Sequence, residues 1–341
     1  MPNNPNKILL SLTLIGGILI SVSSNSWFGA WMGLEINLLS FIPLMSSQGN
    51  VYTTEAALSY FIIQALASST LLFLVTMEAL NNQTAPIDNN IHTYMIMTPL
   101  LLKTGAAPLH WWFPSVMEGL SWTNCLLMLT VQKIAPMMLI SYLMSPNLIP
   151  LMVILLSVSV GAMGGINQTS LRKILTYSSI NHTGWMLTAM IGGDTLWLTY
   201  FMVYSLLTST VTIITKAYNI SFINQAMTVN KESTIKILLF MTLLSLGGLP
   251  PFIGFMPKWI VIQVMVSNNM MLIMITMVMM SLITLYYYLR ICYSSFIILH
   301  EEPKWNIKIQ PNSKIIMYGV MLSTLSLTGL LISATLTNNV L

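Results

Sequence analysis

Apolar runs of roughly 20 residues recur from one end of the chain to the other, and they restrict the possible folds more than any other feature. A helix of that length crosses the hydrocarbon core of a bilayer, which is about 30 Å thick. Only 6% of the 341 residues are charged, whereas a soluble domain carries about 25%. The sequence therefore predicts an all-α, polytopic membrane protein formed by a single transmembrane domain.

The apolar runs predict about eleven transmembrane helices. They cover residues 8–22, 27–45, 57–80, 93–114, 124–144, 149–166, 174–191, 195–219, 236–267, 270–296 and 315–336. An odd number of spans places the two termini on opposite sides of the membrane. The ninth run is too long for one straight crossing.

Ten basic residues in the loops or near the ends of spans all fall on the N-terminal side of this predicted topology. They are Lys7, Arg172, Lys173, Lys216, Lys231, Lys236, Arg290, Lys304, Lys308 and Lys314. The opposite side carries no Lys or Arg in the loops. The positive-inside rule then places the N-terminus in the cytoplasm or, in an organelle, in the matrix.

Glycine and proline interrupt the fourth and the ninth predicted spans, at residues 105–108 and 247–257. Proline removes a backbone donor and clashes with the preceding turn, so we expect both helices to be discontinuous at mid-depth. Lipid cannot satisfy the freed backbone groups, which requires protein or water around them. Paired broken helices predict two inverted five-helix repeats, 8–144 and 149–296, followed by a closing helix at 315–336.

Four ionisable residues fall at or near the middle of predicted spans: Glu35, Lys103, Lys133 and Lys258. An ionisable group at the bilayer centre costs about 2.5–3.5 kcal/mol, which makes each a functional candidate. A lysine can instead extend to an interface, but apolar residues flank Lys103 and Lys133 on both sides. A structural ion pair between Glu35 and Lys103 stays open as an alternative.

Buried lysines suit proton transfer. Burial disfavours the charged ammonium and a nearby carboxylate favours it, so a lysine can change charge when its partner approaches or leaves. Glu35 is such a partner for Lys103. A row of lysines can then pass charge sideways, because each becomes neutral as its neighbour is protonated.

Two histidines are weaker candidates. His110 follows Pro108 and could extend a water wire, or it could be a core histidine with satisfied hydrogen bonds. His182, in "YSSINHTGWM", has hydroxyl-bearing neighbours that could line a proton path or simply hold helices together. The sequence contains no phosphate-binding glycine loop, haem ligand pair or iron–sulfur cysteine set, so we expect no cofactor and no metal in this chain.

Five segments of the sequence resemble one family of membrane proteins. They read "WMGLEINLLSFIPL", "LLKTGAAPLHWWFPSVMEGL", "VQKIAPM", "GGINQTSLRKILTYSSINHTGWM" and "LSLGGLPPFIGFMPKW". Together they are similar to the chain 2 family of NADH-ubiquinone oxidoreductase, the mitochondrially encoded, antiporter-like subunits in the membrane arm of respiratory complex I. The resemblance extends from about residue 27 to about residue 295.

The resemblance implies an antiporter-like proton channel. Glu35 matches the family's acidic residue and Lys103 the lysine of the first broken helix. Lys133 matches the central lysine and Lys258 the terminal one, while His110 lies in the family's Pro-x-His stretch.

The chain departs from the family at one position. The family often reads Trp-x-Pro-Glu where this sequence has Phe113-Pro114-Ser115, with Glu118 three residues later. This chain therefore has a serine, Ser115, where the family often has a carboxylate.

The predicted function is proton translocation within NADH:ubiquinone oxidoreductase, coupled to quinone reduction elsewhere in the complex. Glu35 and Lys103 would form the input pair, Lys133 the relay, and Lys258 the position from which charge passes to a neighbouring antiporter-like subunit. NADH, FMN, iron–sulfur clusters and ubiquinone would be bound by other subunits. We expect partners in the membrane arm and membrane lipids, and no nucleic acid.

The predicted location is the mitochondrial inner membrane, with the N-terminus in the matrix and the C-terminus in the intermembrane space. Two alternatives remain open: a free-standing cation/proton antiporter, and a structural scaffold without its own proton path. An antiporter would be expected to carry an intramembrane carboxylate pair, whereas this chain has one acid and three lysines at mid-depth.

Overall fold

The computed structural model describes residues 5–46, 50–84, 89–227 and 233–297, and the single positions 317, 320, 321, 323, 324 and 329. Within these residues the secondary structure is helical, apart from one isolated bridge between Ser170 and Phe222. The prediction of an all-α protein is confirmed. The predicted closing helix at 315–336 lies outside the described residues except for those six positions.

The described residues form fourteen helices. They are α1 (Pro5–Ser23), α2 (Trp27–Met45), α3 (Val51–Thr84), α4 (Asn89–Thr104), α5 (Trp112–Gly119), α6 (Trp122–Leu129), α7 (Val131–Ser141), α8 (Leu148–Gly165), α9 (Leu171–Gly192), α10 (Asp194–Ala217), α11 (Ile223–Met227), α12 (Ser233–Gly247), α13 (Phe255–Ser267) and α14 (Met271–Ile297).

Seven candidate membrane spans emerge from the described residues by length and composition. They are α1, α2, α8, α10, Val51–Leu80 of α3, Trp122–Ser141 across α6 and α7, and Met271–Tyr293 of α14. The fourth predicted span is divided between α4 and α5, and the ninth between α12 and α13, so their parts are too short to qualify. Helix α9 has 22 residues but contains too many polar side chains.

The fifth predicted span contains an irregularity that the sequence analysis does not anticipate. Helix α6 ends at Leu129 and α7 begins at Val131, with Thr130 between them at φ −116° and ψ −74°. The Thr130 hydroxyl donates to the Leu126 carbonyl at 2.8 Å. Pro136 within α7 has no N–H to donate to the preceding turn, which weakens the helix on the other side of this point.

The chain divides into two compact units, Met1–Val153 and Ile154–Leu341. In the first unit, α2 packs on α1 and α3, α3 contacts α4 and α5, and α4 contacts α7. In the second unit, α9 packs on α10 and α13, and α12 contacts α10 and α14. Each unit contains one of the two interrupted helices and a lysine close to the interruption.

Candidate functional site

The first interrupted helix ends in a left-handed glycine. Gly105 follows α4 at φ +72°, a conformation that only glycine adopts without strain. Its N–H donates to the Leu102 carbonyl at 3.2 Å, and the N–H of Ala106 donates to Leu101 at 3.2 Å. This pair of bonds is a Schellman motif, which provides hydrogen-bond donors for the last carbonyls of the helix. Lipid has no donors for those carbonyls.

Helix α5 folds back against the end of α4. The Trp112 indole N–H donates to the Leu102 carbonyl at 3.2 Å. The Trp112 ring also contacts the rings of Tyr60 and Phe113, at centroid distances of 5.9 and 5.4 Å. Lys103, one residue before the end of α4, is consequently only 9% exposed.

A small cavity in the first unit has both Lys103 and Lys133 in its wall. Its volume is about 20 Å³, which is enough for one water molecule. The remaining polar residues of the wall come from four helices: Asn37, Tyr60, Gln64, Thr104 and Gln132. Two of the lysines predicted from the sequence therefore line the same polar cavity, which is large enough for one water molecule.

Lys133 is held deep within the first unit. It lies on α7, three residues after the irregular Thr130, and only 2% of its surface is exposed. Its Nζ lies 5.3 Å from the centroid of the Phe113 ring. A cation over an aromatic face is attracted by the ring quadrupole, so this ring favours the ammonium form of Lys133.

Glu35 lies on α2, half-buried, and interacts electrostatically with Lys103. No hydrogen bond or close ion pair joins these two side chains in the part of the chain described. Glu35 is also absent from the wall of the cavity, to which its helix contributes Leu34, Asn37 and Leu38. The predicted partnership is therefore an attraction across a gap in this structure.

His110 lies in the segment that links α4 to α5. It is half-buried, and its Nδ1 lies 3.3 Å from the Pro108 carbonyl oxygen. It does not line the cavity shared by the two lysines. The structure thus places His110 at the interruption of the helix, where its ring contacts the backbone of its own loop.

Ser115, the position where the chain departs from the pattern of the family it resembles, is on the surface of the first unit. Ser115 is exposed on α5, and its hydroxyl donates to the Trp112 carbonyl at 2.8 Å. Glu118, nearly one turn further on, is also exposed. Neither side chain lies in the cavity wall.

Five neutral polar residues of the cavity wall, Thr104 among them, were not singled out from the sequence. Tyr60 and Gln64 are one turn apart on α3 and 3% and 4% exposed. The amide of Gln132 donates to the side-chain oxygen of Asn37 at 2.9 Å, joining α7 to α2. Each was visible as a polar residue within an apolar run, but it carries no charge to mark it.

The Gln132–Asn37 bond leads to a stability prediction. Gln132→Met should destabilise the subunit by about 1–3 kcal/mol, because the buried Asn37 amide loses its partner. Adding Asn37→Leu should restore most of that loss, since neither polar group then remains unpaired. The measurement is the thermal midpoint for loss of this subunit from the purified assembly. A double variant no more stable than Gln132→Met would contradict the assigned bond.

The second interrupted helix ends in the same way as the first. Gly248 follows α12 at φ +85°. Its N–H donates to the Ser245 carbonyl at 3.0 Å, and Leu249 donates to Leu244 at 3.5 Å. Each unit therefore stops its interrupted helix with a Schellman motif built on a left-handed glycine.

The side chain of Lys258, on α13, contacts the C-terminal end of α12. Its Nζ donates to the Gly247 carbonyl at 2.9 Å, and the side chain is 6% exposed. The amine also lies 5.7 Å from the centroid of the Trp185 ring on α9. A cation at the C-terminus of a helix is favoured by the helix dipole, so the interruption supplies polar contacts that replace solvent.

His182 is buried on α9 in the second unit, with 8% of its surface exposed. Its Nδ1 and the Tyr200 hydroxyl share a hydrogen bond of 2.9 Å. The ring centroid of Tyr204 is 5.1 Å from that of His182. The hydroxyl-rich surroundings expected from the sequence are present, and they include tyrosines of α10 as well as the serines of α9.

The described residues contain no group of three or more His, Cys, Asp or Glu side chains placed to hold a metal ion. Cys125 and Cys292 are buried free thiols in different units.

Comparison with protein families gives two adjoining matches. Residues 24–284 match the transmembrane family described as NADH:quinone oxidoreductase/Mrp antiporter. Residues 285–337 match the C-terminal region of NADH dehydrogenase subunit 2.

Individual relatives cover almost the whole chain. NADH-ubiquinone oxidoreductase chain 2 of Anopheles gambiae is 48% identical over 328 residues, which is 95% of this chain and 96% of that protein. The protein of the same name from Locusta migratoria is 44% identical and covers 97% of both chains.

Two solved structures share the fold. A chain of respiratory complex I from Thermus thermophilus superposes with a TM-score of 0.84 at 24% identity, covering 96% of this chain and 79% of that one. A chain of the Mrp complex from a Dietzia species has a TM-score of 0.80 at 16% identity, with coverage of 96% and 75%.

Proposed function

Because the chain belongs to the NADH:quinone oxidoreductase/Mrp antiporter family, and within it to the NADH-ubiquinone oxidoreductase chain 2 proteins, we propose that it translocates protons as a subunit of respiratory complex I. One observation carries the proposal: Lys103, Lys133 and Lys258 are all at most 9% exposed, and two of them adjoin interrupted helices. Each amine within a membrane span carries an insertion cost of about 2.5–3.5 kcal/mol. Apolar side chains could pack at these positions without that cost, so the lysines are expected to have a function.

In the first unit, the proposed path begins at Glu35 and Lys103. The Glu35 carboxylate attracts a proton onto Lys103 across the gap between them. A shift of charge near Glu35, coupled to quinone reduction in another subunit, changes that attraction and therefore the protonation of Lys103. This is how redox energy enters the chain.

Lys133 is the proposed relay. It shares a cavity of about 20 Å³ with Lys103, and one water in that cavity would connect the two amines. Two ammonium groups in a poorly screened interior repel each other, so protonation of Lys103 favours loss of the proton from Lys133. Neutral Asn37, Gln64 and Gln132 can hold the water without adding a competing charge.

Lys258, in the second unit, is the last position of the proposed path in this chain. The Gly247 carbonyl and the Trp185 ring both favour its charged form. From there charge would pass to a neighbouring antiporter-like subunit. Moving one charge across 100 mV is worth about 2.3 kcal/mol, which a few electrostatic contacts of this kind can supply.

Glu35→Gln tests the input step. The change removes the negative charge and nearly conserves shape, so Lys103 loses the attraction that favours its ammonium form. Coupled NADH oxidation by the assembled complex should fall by about threefold to tenfold, the scale of roughly 1 kcal/mol of electrostatic interaction. The measurement is NADH:quinone turnover together with proton uptake in proteoliposomes.

Glu55→Gln is the matched control, because Glu55 is an exposed acid on α3 of the same unit. It should leave turnover within the error of the assay. Equal rates for Glu35→Gln and the unaltered complex would remove Glu35 from the path.

The membrane arrangement is part of the proposal. We take about eleven spans in two inverted five-helix repeats, 8–144 and 149–296, with the closing helix at 315–336. Similar glycine caps and nearby lysines at the two interrupted helices support this reading. Exposed Lys7 and Lys216 support a matrix-facing N-terminus and a C-terminus in the intermembrane space. NADH, FMN, iron–sulfur clusters and ubiquinone would be handled by partner subunits.

Co-migration tests the assignment to an assembly. On a mild-detergent native gel of inner mitochondrial membranes, the chain should run in the band that carries NADH dehydrogenase activity. A chain that runs alone, away from that activity, would favour the free-standing antiporter.

A further inference from the structure

Phe113 is an apolar residue in the wall of the cavity of the first unit. It is buried on α5, and Lys103 and Lys133 belong to the same wall. A buried phenylalanine ordinarily contributes packing alone, and an aliphatic side chain of similar volume could fill much of the same space. The position of this ring, between a backbone turn and an amine, points to a more particular role.

One contact of the Phe113 side chain is with the turn that interrupts the fourth predicted span. A Cβ built on Gly105 would lie 3.3 Å from Cβ, Cγ and Cδ1 of Phe113, so the phenylalanine packs directly on this glycine. The preceding residue, Trp112, donates its indole N–H to the carbonyl of Leu102 in the last turn of α4. The ring is therefore held against the interruption beside Lys103, and we expect a movement of that turn to move the ring.

The other contact is with the lysine on α7. Nζ of Lys133 lies 5.3 Å from the centroid of the Phe113 ring, within the range at which an aromatic face attracts a cation. This attraction is strongest where the cation is desolvated, and Lys133 is almost fully buried. Phe113 thus contacts both the interruption next to Lys103 and the amine of Lys133. An aliphatic side chain could fill the space but would not attract the ammonium.

The second unit has a related arrangement made from different elements. Nζ of Lys258 lies 5.7 Å from the centroid of the Trp185 ring, which belongs to α9. The lysine also packs on the left-handed glycine of its own interruption, since a Cβ on Gly248 would lie 3.0 Å from Cδ and Nζ of Lys258. Each unit therefore places an aromatic ring at a buried amine beside an interrupted helix. Aliphatic residues could meet the need for apolar packing, so the recurrence of the ring favours a role at the amine.

We propose that Phe113 is a positioning residue for Lys133, which holds the amine at the cavity and links its charge to the turn at Gly105. The inference rests on the proposed function, in which Lys133 is the relay, and Phe113 itself carries no proton. While the ring lies over the amine, the ammonium form is favoured. When the turn moves and takes the ring with it, that attraction weakens and the neutral amine is favoured instead.

Phe113→Leu tests this role, because it keeps an apolar side chain in the space and removes the aromatic face. Coupled NADH oxidation and proton uptake by the assembled complex should fall by about threefold to tenfold, the scale of one cation–π contact. Phe113→Tyr keeps the ring and should retain most of both rates. A ring needed for packing alone would lower the amount of assembled complex and leave the rate per assembled complex unchanged.

Phe41→Leu is the matched control. Phe41 is a fully buried phenylalanine of the same unit that packs against the edge of Tyr60 and is absent from the cavity wall. Its replacement should lower the thermal midpoint for loss of the subunit and leave proton uptake per assembled complex unchanged. Three results overturn the role of Phe113: normal rates in Phe113→Leu, equal losses in Phe113→Leu and Phe113→Tyr, or equal losses in Phe113→Leu and Phe41→Leu.

Lys133→Met separates this failure from failure of the proposed function. If Lys133→Met stops proton uptake while Phe113→Leu keeps it, only the role of Phe113 falls. If both variants keep proton uptake, Lys133 is not the relay.

A second test uses the unaltered complex and does not depend on assembly of a variant. In maps of the complex at rest and during turnover, the turn at Gly105 and the Phe113 ring should shift together. The distance from the ring to Nζ of Lys133 should change with them. A turn that occupies one position in both maps, or a ring that stays over the amine while the turn moves, would overturn the link.

Discussion

Lys133→Met is expected to stop proton uptake by the assembled complex and to lower coupled NADH oxidation by about tenfold or more. Methionine fills a similar volume but cannot take up or release a proton. A side chain that transfers a proton typically contributes about 10²–10⁴-fold to a rate, so the loss of this one should dominate the kinetics. The measurement is proton uptake per NADH oxidised in proteoliposomes, beside a native gel that shows full assembly.

Lys7→Met provides the control for that experiment. Lys7 is an exposed lysine at the start of α1, so its replacement tests the loss of a positive charge without touching the cavity. It should pump normally. The scaffold alternative makes the opposite prediction for Lys133→Met, namely undiminished pumping in an assembled complex, and that result would remove the relay from the account.

Gly254→Ala is expected to have the largest effect on stability. A Cβ at this buried glycine would overlap the carbonyl oxygen of Ser245, which is backbone and cannot rotate away. The same carbonyl accepts the Gly248 N–H that ends α12, so relief of the clash would disturb the interruption and move Lys258. Overpacking of this kind costs about 1–3 kcal/mol or more. The steady-state amount of assembled subunit should fall several-fold on an immunoblot of the native gel.

Gly16→Ala is the matched control, because a Cβ at that position meets nothing within 4 Å. Alanine in a helix is favoured over glycine by about 0.5–1 kcal/mol, so the amount of subunit should stay the same or rise. Normal accumulation and activity of Gly254→Ala would show that α12 and α13 do not meet as closely as described.

The sequence was most informative where a physical cost is large. A lysine in an apolar run and a proline in a membrane helix are both expensive, so Lys103, Lys133 and Lys258 and the two interruptions could be found from residue types and positions alone. The structure buries all three lysines and ends both helices where the glycines predict. Apolar length also indicated the continuous crossings of α1, α2 and α10.

The sequence could not predict which neutral residues belong to the site, nor the distances between helices. Tyr60 and Gln132 became part of the site only when α3 and α7 packed beside α4, and neither carries a charge to signal this beforehand. The irregularity at Thr130 could not be predicted, because many threonines make the same hydroxyl-to-carbonyl bond without breaking a helix. Glu35 and Lys103 were expected to pair, but side-chain separation depends on how α2 and α4 pack.

Helix α9 is a further case in which the sequence alone does not show which residues are buried. Its predicted span at 174–191 was recognised by its apolar residues, yet its buried face includes Ser178, Ser179 and His182. These polar groups are tolerated because α9 is covered by α10 and α13 within the second unit. Only packing distinguishes a polar helix enclosed by others from one that lies outside the membrane.

The most direct test of the central claim is the solvent structure around Lys103 and Lys133 in a map of the assembled complex at a resolution that locates water. We expect at least one ordered water in the cavity lined by these two lysines, hydrogen-bonded to one or both amines, with the polar wall of Asn37, Gln64 and Gln132 around it. A cavity that is empty or filled by an apolar side chain, or an amine that points towards lipid, would contradict it.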